Sequence, residues 1–178
     1  MGIKVKSLFF ALLLFLASCP AFGLVLNLDG VSVGVYFSPN GGAMEAIVRE
    51  VDRAQSEILV QAYSFTSAPI AKAIVKAHRR GVRVSVILDK SQKGEGYSSA
   101  TFFSNAGVET LIDDKHAIAH NKVMVIDGAI VITGSYNYTQ AAESRNAENL
   151  LVIRSRELAE VYRKNWFAHR DHSVAFGR

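Results

Sequence analysis

Between residues 31 and 166, short apolar runs that suit β-strands alternate with segments whose apolar residues recur at helical spacing. Strands are predicted at residues 31–37, 58–62, 82–89, 108–112, 123–126, 129–133 and 150–153. Helices are predicted at residues 44–54, 70–77, 99–106 and 158–166. Because helices separate the early strands and a hairpin follows, the order excludes all-α and all-β folds. It predicts an α/β fold in which a mixed β-sheet is sandwiched between helices.

The first 23 residues have the basic, apolar and small residues of a secretory signal peptide in the usual order. Lys4 and Lys6 precede an apolar run at residues 8–17, and small residues follow at positions 21 and 23. The run is too short for a spanning helix, which needs about 20 apolar residues. The sequence therefore predicts a signal peptide at residues 1–23 and a single domain at residues 24–178, exported to the periplasm or secreted.

Two other interpretations of this segment stay open. Leu16-Ala17-Ser18-Cys19 resembles a bacterial lipobox, in which Cys19 is lipidated and tethers the protein to a membrane. Alternatively, residues 8–26 remain uncleaved as an anchor, although Pro20 and Gly23 weaken that reading. All three interpretations place the domain outside the cytoplasm. The single cysteine excludes a disulfide within the chain.

The net charge gives little general attraction for a polyanion. The formal charge is +4, and loss of residues 1–23 removes Lys4 and Lys6, which leaves +2 on 155 residues. Binding to a nucleic acid would therefore depend on where basic side chains cluster.

One segment carries residues suited to chemistry on a phosphodiester. His120 and Lys122 are two positions apart and share a face of an extended strand, as do Ser135 and Asn137. Asp127-Gly128 lies between the two pairs and favours a tight hairpin, which would bring them together. A neutral imidazole can attack phosphorus, while an ammonium and an amide stabilise the added negative charge. This chemistry requires no metal or other cofactor.

The pattern His-x-Lys-x4-Asp-x6-Gly-Ser-x-Asn, from His120 to Asn137, resembles the signature of the phospholipase D superfamily and matches it without a gap. The chain is similar to the short, single-motif bacterial endonucleases of that superfamily. The similarity extends to residues 62–66 and 141–149, and covers roughly residues 33–166. It implies the phospholipase D/nuclease fold and a non-specific endonuclease that hydrolyses DNA, and RNA as a further candidate.

The resemblance also implies a role for each matching residue. His120 would attack phosphorus and form a phosphohistidine. Lys122 and Asn137 would bind the non-bridging oxygens, with Ser135 in support. Glu148 would accept a hydrogen bond from the other ring nitrogen of His120. Asp127 and Gly134 would be structural.

The superfamily reaction uses two histidines, a nucleophile and a general acid, whereas this sequence contains one copy of the motif. The second histidine would then come from another copy of the chain. The sequence therefore predicts a two-fold homodimer with an active site shared across the interface.

Three alternatives remain open. A metal-dependent hydrolase could use Asp113, Asp114, His116 and His120, although the segment lacks the Glu of a helical zinc motif. The substrate could be a phospholipid instead of a nucleic acid. The protein could also bind nucleic acid without cleaving it.

Overall fold

The computed structural model describes residues 24–28, 30–94 and 99–177. The predicted signal peptide and Cys19 lie outside these residues. Among the described residues, no helix is both long enough and apolar enough to cross a membrane.

Within these described ranges, nine strands form one mixed sheet in the order β1-β2-β8-β7-β6-β3-β4-β5-β9. The strands are β1 (Leu24–Leu28), β2 (Val31–Ser38), β3 (Glu57–Ala62), β4 (Arg83–Asp89), β5 (Glu109–Asp113), β6 (Lys122–Ile126), β7 (Ile130–Gly134), β8 (Glu148–Arg154) and β9 (Val174–Ala175). Strands β3, β4 and β5 run parallel, and the other pairings are antiparallel. The parallel strands therefore end at the sheet edge where β6 begins.

In the described part of the chain, five α-helices cover the two faces of the sheet. They are α1 (Ala43–Arg53), α2 (Ala68–Arg79), α3 (Ser99–Asn105), α4 (Gln140–Ser144) and α5 (Arg156–Arg170). Apolar residues at helical spacing explain the packing of α2, where Ile70, Ile74 and Ala77 are fully buried. The predicted sandwich of helices around a mixed sheet is confirmed.

The sheet separates two hydrophobic clusters. The larger cluster contains Ile47 of α1 and Ile74 of α2 together with Met124 and Ile126 of β6. On the other face, Trp166 of α5 packs with Val123, and its indole N–H donates to Val60 O at 2.9 Å. Because neighbouring residues of a strand point to opposite faces, Lys122 lies on the α1/α2 face and Val123 on the α5 face.

Candidate active site

His120 lies in the loop at residues 114–121, which joins β5 to β6. Its side chain is exposed, and its ring packs against Tyr63 with 4.7 Å between the ring centroids. Tyr63 follows β3, and its backbone N–H donates to Asn121 O at 2.9 Å. The end of β3 therefore supports the imidazole from one side and leaves the rest of the ring open to a substrate.

Asp89 fixes the loop immediately before His120. It is the last residue of β4 and is almost fully buried. Its Oδ2 accepts from the backbone N–H of Ala119 at 2.7 Å, and its Oδ1 from that of Ser91 at 2.9 Å. Burial would raise the pKa of this carboxyl, but these hydrogen bonds outweigh it and lower the pKa. The sequence analysis did not identify Asp89, although it ends a buried strand at the edge that carries the motif.

Lys122 is the cation next to His120, and it is 7% exposed. Its Nζ donates to His120 O at 3.0 Å and lies 5.2 Å from the centroid of the Tyr63 ring. Burial lowers the pKa of Lys122 from its ordinary value, while the carboxylate of Glu148 opposes that change. A bound phosphate would stabilise the charged form in the same way as Glu148.

The chain bends sharply where β7 ends at Gly134. The backbone N–H groups of Ser135 and Tyr136 both donate to Asn149 O, at 3.1 and 3.2 Å, as in a β-bulge. Gly134 has a φ of 152°, and a Cβ there would lie 2.3 Å from Asn149 O. Only glycine fits this close approach of β7 to β8.

Ser135 and Glu148 form a polar cluster beyond the bend. Ser135 Oγ donates to Glu148 Oε2 at 2.6 Å and accepts from Asn149 N at 3.1 Å. Glu148 Oε1 accepts from Asn146 Nδ2 at 3.2 Å. The hydrogen bond that the resemblance implies between Glu148 and His120 is absent from the described part of this single chain, where Glu148 pairs with Ser135 and Asn146.

Asn137 is half-buried between two fully buried tyrosines, Tyr136 and Tyr138. This alternation turns Ser135 and Asn137 away from the core, as the two-residue spacing predicted. Asn137 Oδ1 is buried and has no hydrogen-bond partner among the described residues. Because rotation of the amide by about 180° exchanges its oxygen and nitrogen, this position can offer a donor to a bound group.

Strand register brings four of the sequence-predicted residues to one sheet edge. Val123 pairs with Thr133, so the same register continued by one residue sets Lys122 opposite Gly134. Gly134 pairs in turn with Leu150 of β8, close to Glu148. Lys122 at the start of β6, Ser135 just after β7 and Glu148 at the start of β8 therefore lie at the same end of three adjacent strands, beside His120.

Asp127 lies at the opposite end of β6, about 17 Å from Lys122 along the strand. Its two carboxylate oxygens accept from four donors at the start of β3: the backbone N–H groups of Gln55, Ser56 and Glu57 and the hydroxyl of Ser56, at 2.8 to 3.0 Å. Burial would raise the pKa of Asp127, but these hydrogen bonds lower it. The contacts tie the β6–β7 turn to β3 and are consistent with a structural role.

Replacing Asp127 with asparagine is expected to lower the free energy of unfolding by about 2 kcal/mol at pH 7, because an amide cannot accept all four hydrogen bonds. The folded-state pKa of Asp127 lies below the unfolded value near 3.9. The stabilisation is therefore complete above about pH 5 and disappears as the pH falls through the folded-state pKa. Urea unfolding at pH 7 and pH 3 should show the difference between wild type and variant narrowing in acid.

Asp114→Asn is the matched control, because Asp114 is an exposed carboxylate paired with Lys93 at 2.9 Å. Its effect should stay below about 0.5 kcal/mol. A difference for Asp127→Asn that is equally small at pH 7 would contradict the structural role of Asp127.

The metal-dependent alternative does not gain support at this edge. His116 contacts Asp113, and Asp114 pairs with Lys93. The one group of possible metal ligands among the described residues contains Asp113 and His116 with two histidines of the C-terminal segment, and it includes neither His120 nor Asp114.

Comparisons with known proteins agree with this geometry. A family model described as cardiolipin synthase, PLD-like domain, matches residues 47–170. The phospholipase D of Rickettsia felis is 43% identical over 134 residues, which cover 75% of this chain and 67% of that protein. The mitochondrial cardiolipin hydrolase of Xenopus tropicalis is 33% identical over 114 residues, 64% of this chain and 54% of that protein.

Among solved structures, Nuc from Salmonella typhimurium, a phospholipase D family member, superposes with a TM-score of 0.77 and 35% sequence identity. The match covers 82% of this chain and 98% of that chain. The sequence-based identification of the family is thus confirmed, and the chain belongs to the phospholipase D superfamily of phosphodiesterases.

Proposed function

We propose that the protein is an endonuclease that hydrolyses DNA, and RNA as a second substrate, through a phosphohistidine on His120. One observation carries the proposal: an exposed imidazole packs against Tyr63 on a loop anchored by Asp89, and the buried ammonium of Lys122 contacts the backbone oxygen of the same residue, His120. A nucleophile and a fixed cation within one short segment suit attack on an anionic phosphodiester.

The reaction would proceed in two displacements. A ring nitrogen of His120 attacks phosphorus, so that a P–N bond forms and the bond to the leaving oxygen breaks. A second histidine donates a proton to that oxygen. Water then attacks phosphorus, the P–N bond breaks, and the second histidine accepts the proton of the water. Each displacement inverts the phosphorus, so the overall reaction retains its configuration.

Lys122 and Asn137 would stabilise the negative charge that develops on the non-bridging oxygens. Ser135 would support the same oxygens after its hydroxyl proton, which it donates to Glu148 in this structure, turns to the phosphate. These side chains supply the charge stabilisation that a divalent cation supplies in other phosphodiesterases. We therefore expect hydrolysis to continue in EDTA.

Exposed basic residues support a polyanionic substrate. Lys115 precedes His120 in the same loop, Arg145 follows α4 close to Glu148, and Lys72 is on the first turns of α2. None of their side chains makes an ion pair within the described ranges. Cations around the site can bind phosphates on either side of the scissile one, and such contacts carry no base information. Cleavage should consequently show little sequence preference.

A phospholipid is the second candidate substrate. Relatives of this chain carry the names phospholipase D and mitochondrial cardiolipin hydrolase. In addition, Ile118 and Phe37 are exposed large apolar side chains, 57% and 64% exposed, near the site. Either could contact a lipid surface, although an interface with a second copy of the chain explains them equally well.

A substrate panel in EDTA separates these functions. Single-stranded DNA, duplex DNA, RNA and phosphatidylcholine vesicles are each incubated with the purified protein, and samples quenched in denaturant at slightly alkaline pH, where a P–N bond survives, are analysed for phosphohistidine. We expect cleavage of DNA and a covalent adduct with a P–N bond to His120. Cleavage of lipid without cleavage of any nucleic acid would establish the phospholipase instead, and binding of DNA without cleavage of any substrate would establish a non-catalytic binding protein.

We further propose that the enzyme acts outside the cytoplasm, in the periplasm or after secretion. Support comes from the charged and apolar order of residues 1–23. Mass spectrometry of the mature N-terminus distinguishes cleavage after Gly23, lipidation of Cys19 and an uncleaved anchor.

A further inference from the structure

Four side chains converge at the end of β5, away from the phosphodiesterase motif. Asp113 is the last residue of β5 and is fully buried, and His116 lies in the loop that follows. His169 is in the last turn of α5, and His172 lies between α5 and β9. One potential ligand atom from each lies within 4.8 Å of all the others.

Distances within the cluster suit a tetrahedral metal site. Asp113 Oδ2 is 3.0 Å from His116 Nδ1, 2.8 Å from His169 Nδ1 and 3.3 Å from His172 Nε2. Ligand atoms around tetrahedral zinc are about 3.4 Å apart, since each lies about 2.1 Å from the metal. The four groups therefore need only a small adjustment to accept an ion at their centre.

The arrangement of the three rings is an independent indication. Ring centroids are separated by 4.9 Å (His116 and His169), 5.2 Å (His116 and His172) and 5.3 Å (His169 and His172). Three imidazoles that bind one tetrahedral zinc through ring nitrogens have centroids about 5.2 Å apart. The observed separations match this value for all three pairs.

The Asp113 carboxylate is the common partner of all three rings. Each ring has a nitrogen within 3.3 Å of Asp113 Oδ2, and His116 Nδ1 is also 3.1 Å from Oδ1. A divalent cation at the centre would replace these hydrogen bonds, because each neutral ring then directs a lone pair to the ion and the carboxylate offsets part of its charge.

The cluster is separate from the proposed active site. Asp113 shares a strand face with Leu111, which belongs to the cluster of apolar residues under α5, whereas Lys122 is on the α1/α2 face. Two strands, β3 and β4, also separate β6 from β5, so that their axes are about 14 Å apart. An ion here would not reach a phosphate bound at Lys122.

We propose that Asp113, His116, His169 and His172 bind one Zn²⁺ in a closed, structural site. Three imidazoles and a carboxylate fill a tetrahedral coordination sphere and leave no position for a substrate. The ion would join three parts of the chain: the end of β5, the loop that leads to His120, and the C-terminal segment from α5 to β9. It would thus stabilise the fold without taking part in phosphoryl transfer.

Isothermal titration calorimetry and thermal unfolding test the site directly. Untagged protein is stripped with EDTA, exchanged into chelator-free buffer and titrated with ZnCl₂. We expect one Zn²⁺ per chain and, at 100 µM ZnCl₂, a rise in Tm of at least about 5 °C. Absence of stoichiometric Zn²⁺ binding, or binding that leaves Tm unchanged, would overturn the proposal.

Variants assign the ligands. His116 is partly exposed on a loop, so His116→Ala should fold, and the His116→Ala/His172→Ala double variant removes two ligands. Each should weaken Zn²⁺ binding by at least about 100-fold and remove the zinc-dependent rise in Tm. His78→Ala, on α2, is the matched control and should bind Zn²⁺ like the wild type. Wild-type affinity in the double variant would contradict the assignment.

Cobalt reports the coordination geometry independently of stability. Co²⁺ added to the stripped protein should give the intense visible absorption of a tetrahedral site, and ZnCl₂ should displace it. A weak octahedral spectrum would contradict a site filled by four protein ligands. Because binding, Tm and spectrum are all measured without a substrate, failure of this proposal is distinguishable from failure of the proposed nuclease activity.

Discussion

Replacing His120 with asparagine is expected to reduce the rate of DNA cleavage by about 10⁴-fold or more, because no other imidazole of the described residues lies beside the site to form a phosphohistidine. The exposed ring accepts no buried hydrogen bond from the described residues, so the variant should keep the stability of the wild type. Single-turnover cleavage of a labelled oligonucleotide, with Tm measured in parallel, gives both values.

His78→Asn is the matched control for this substitution. His78 lies near the C-terminal end of α2, roughly 15 Å along the helix from the first turn, which follows the end of β3 beside His120. It should cleave at the wild-type rate. DNA binding by His120→Asn should persist, since Lys122 and the surrounding cations remain. Cleavage within tenfold of wild type, or a phosphohistidine still formed in the variant, would rule out His120 as the nucleophile.

The fold was predictable where the pattern was long enough. Apolar spacing located α1, α2 and α5 and the strands that flank them, and Asp127-Gly128 correctly indicated a hairpin, with φ values of 53° and 57°. The two-residue β9 and the five-residue α4 were missed, because segments so short show no periodicity. The strand at Leu24–Leu28 was also missed, since its five residues directly follow the apolar N-terminal segment and show no separate strand pattern.

Strand order was not readable from the sequence. β6 is inserted beside β3 and not beside β5, which precedes it in the chain, and β8 pairs with β2 across more than 100 residues. These neighbours are chosen by packing between distant segments, whereas spacing reports only local structure. The sequence could therefore predict that a mixed sheet forms, but not which strands are neighbours around the candidate site.

In the candidate site, too, local spacing predicted some features and distant contacts were missed. Spacing alone placed Lys122 beside His120 and turned Ser135 and Asn137 to one side. The contacts that support His120 were not predicted, because Tyr63 and Asp89 lie 57 and 31 positions from it in the sequence, although the similarity to the family includes Tyr63 in residues 62–66. His116 was considered as a ligand together with His120, yet it contacts His169 and His172, more than 50 positions away. Local motifs identify reacting groups, and the tertiary fold determines their neighbours.

A dimer with a shared active site makes a prediction about mixtures. Among the described residues, His120 has no second imidazole beside it, because the other described histidines are in the zinc cluster or on α2. The general acid would then be His120 of a second copy. Ile118, two residues before His120, and Phe37, paired with Asn149 beside Ser135, are exposed apolar residues that such an interface would cover.

If each site needs His120 from both subunits, a heterodimer of wild type and His120→Asn is inactive. Wild type is refolded together with a ninefold excess of the variant and compared with pure wild type at the same total protein concentration. The mixture should retain about 1% of the activity, because only dimers of two wild-type chains are active and one-tenth of the chains are wild type. Independent sites would retain about 10%. Cleavage rates measured across a series of mixing ratios distinguish a quadratic from a linear dependence on the wild-type fraction.

Ile118→Glu provides the test on the interface itself. A carboxylate at this exposed position costs the folded monomer little, but it would be buried at a dimer interface, where an unpaired charge is strongly unfavourable. The variant should therefore sediment as a monomer and still unfold in one cooperative thermal transition. It should lose cleavage although His120 and Lys122 are unchanged. Val161→Glu on α5, where Val161 is 63% exposed, is the control and should remain dimeric and active. A monomeric Ile118→Glu with full activity, together with a linear mixing curve, would show that one chain forms a complete site.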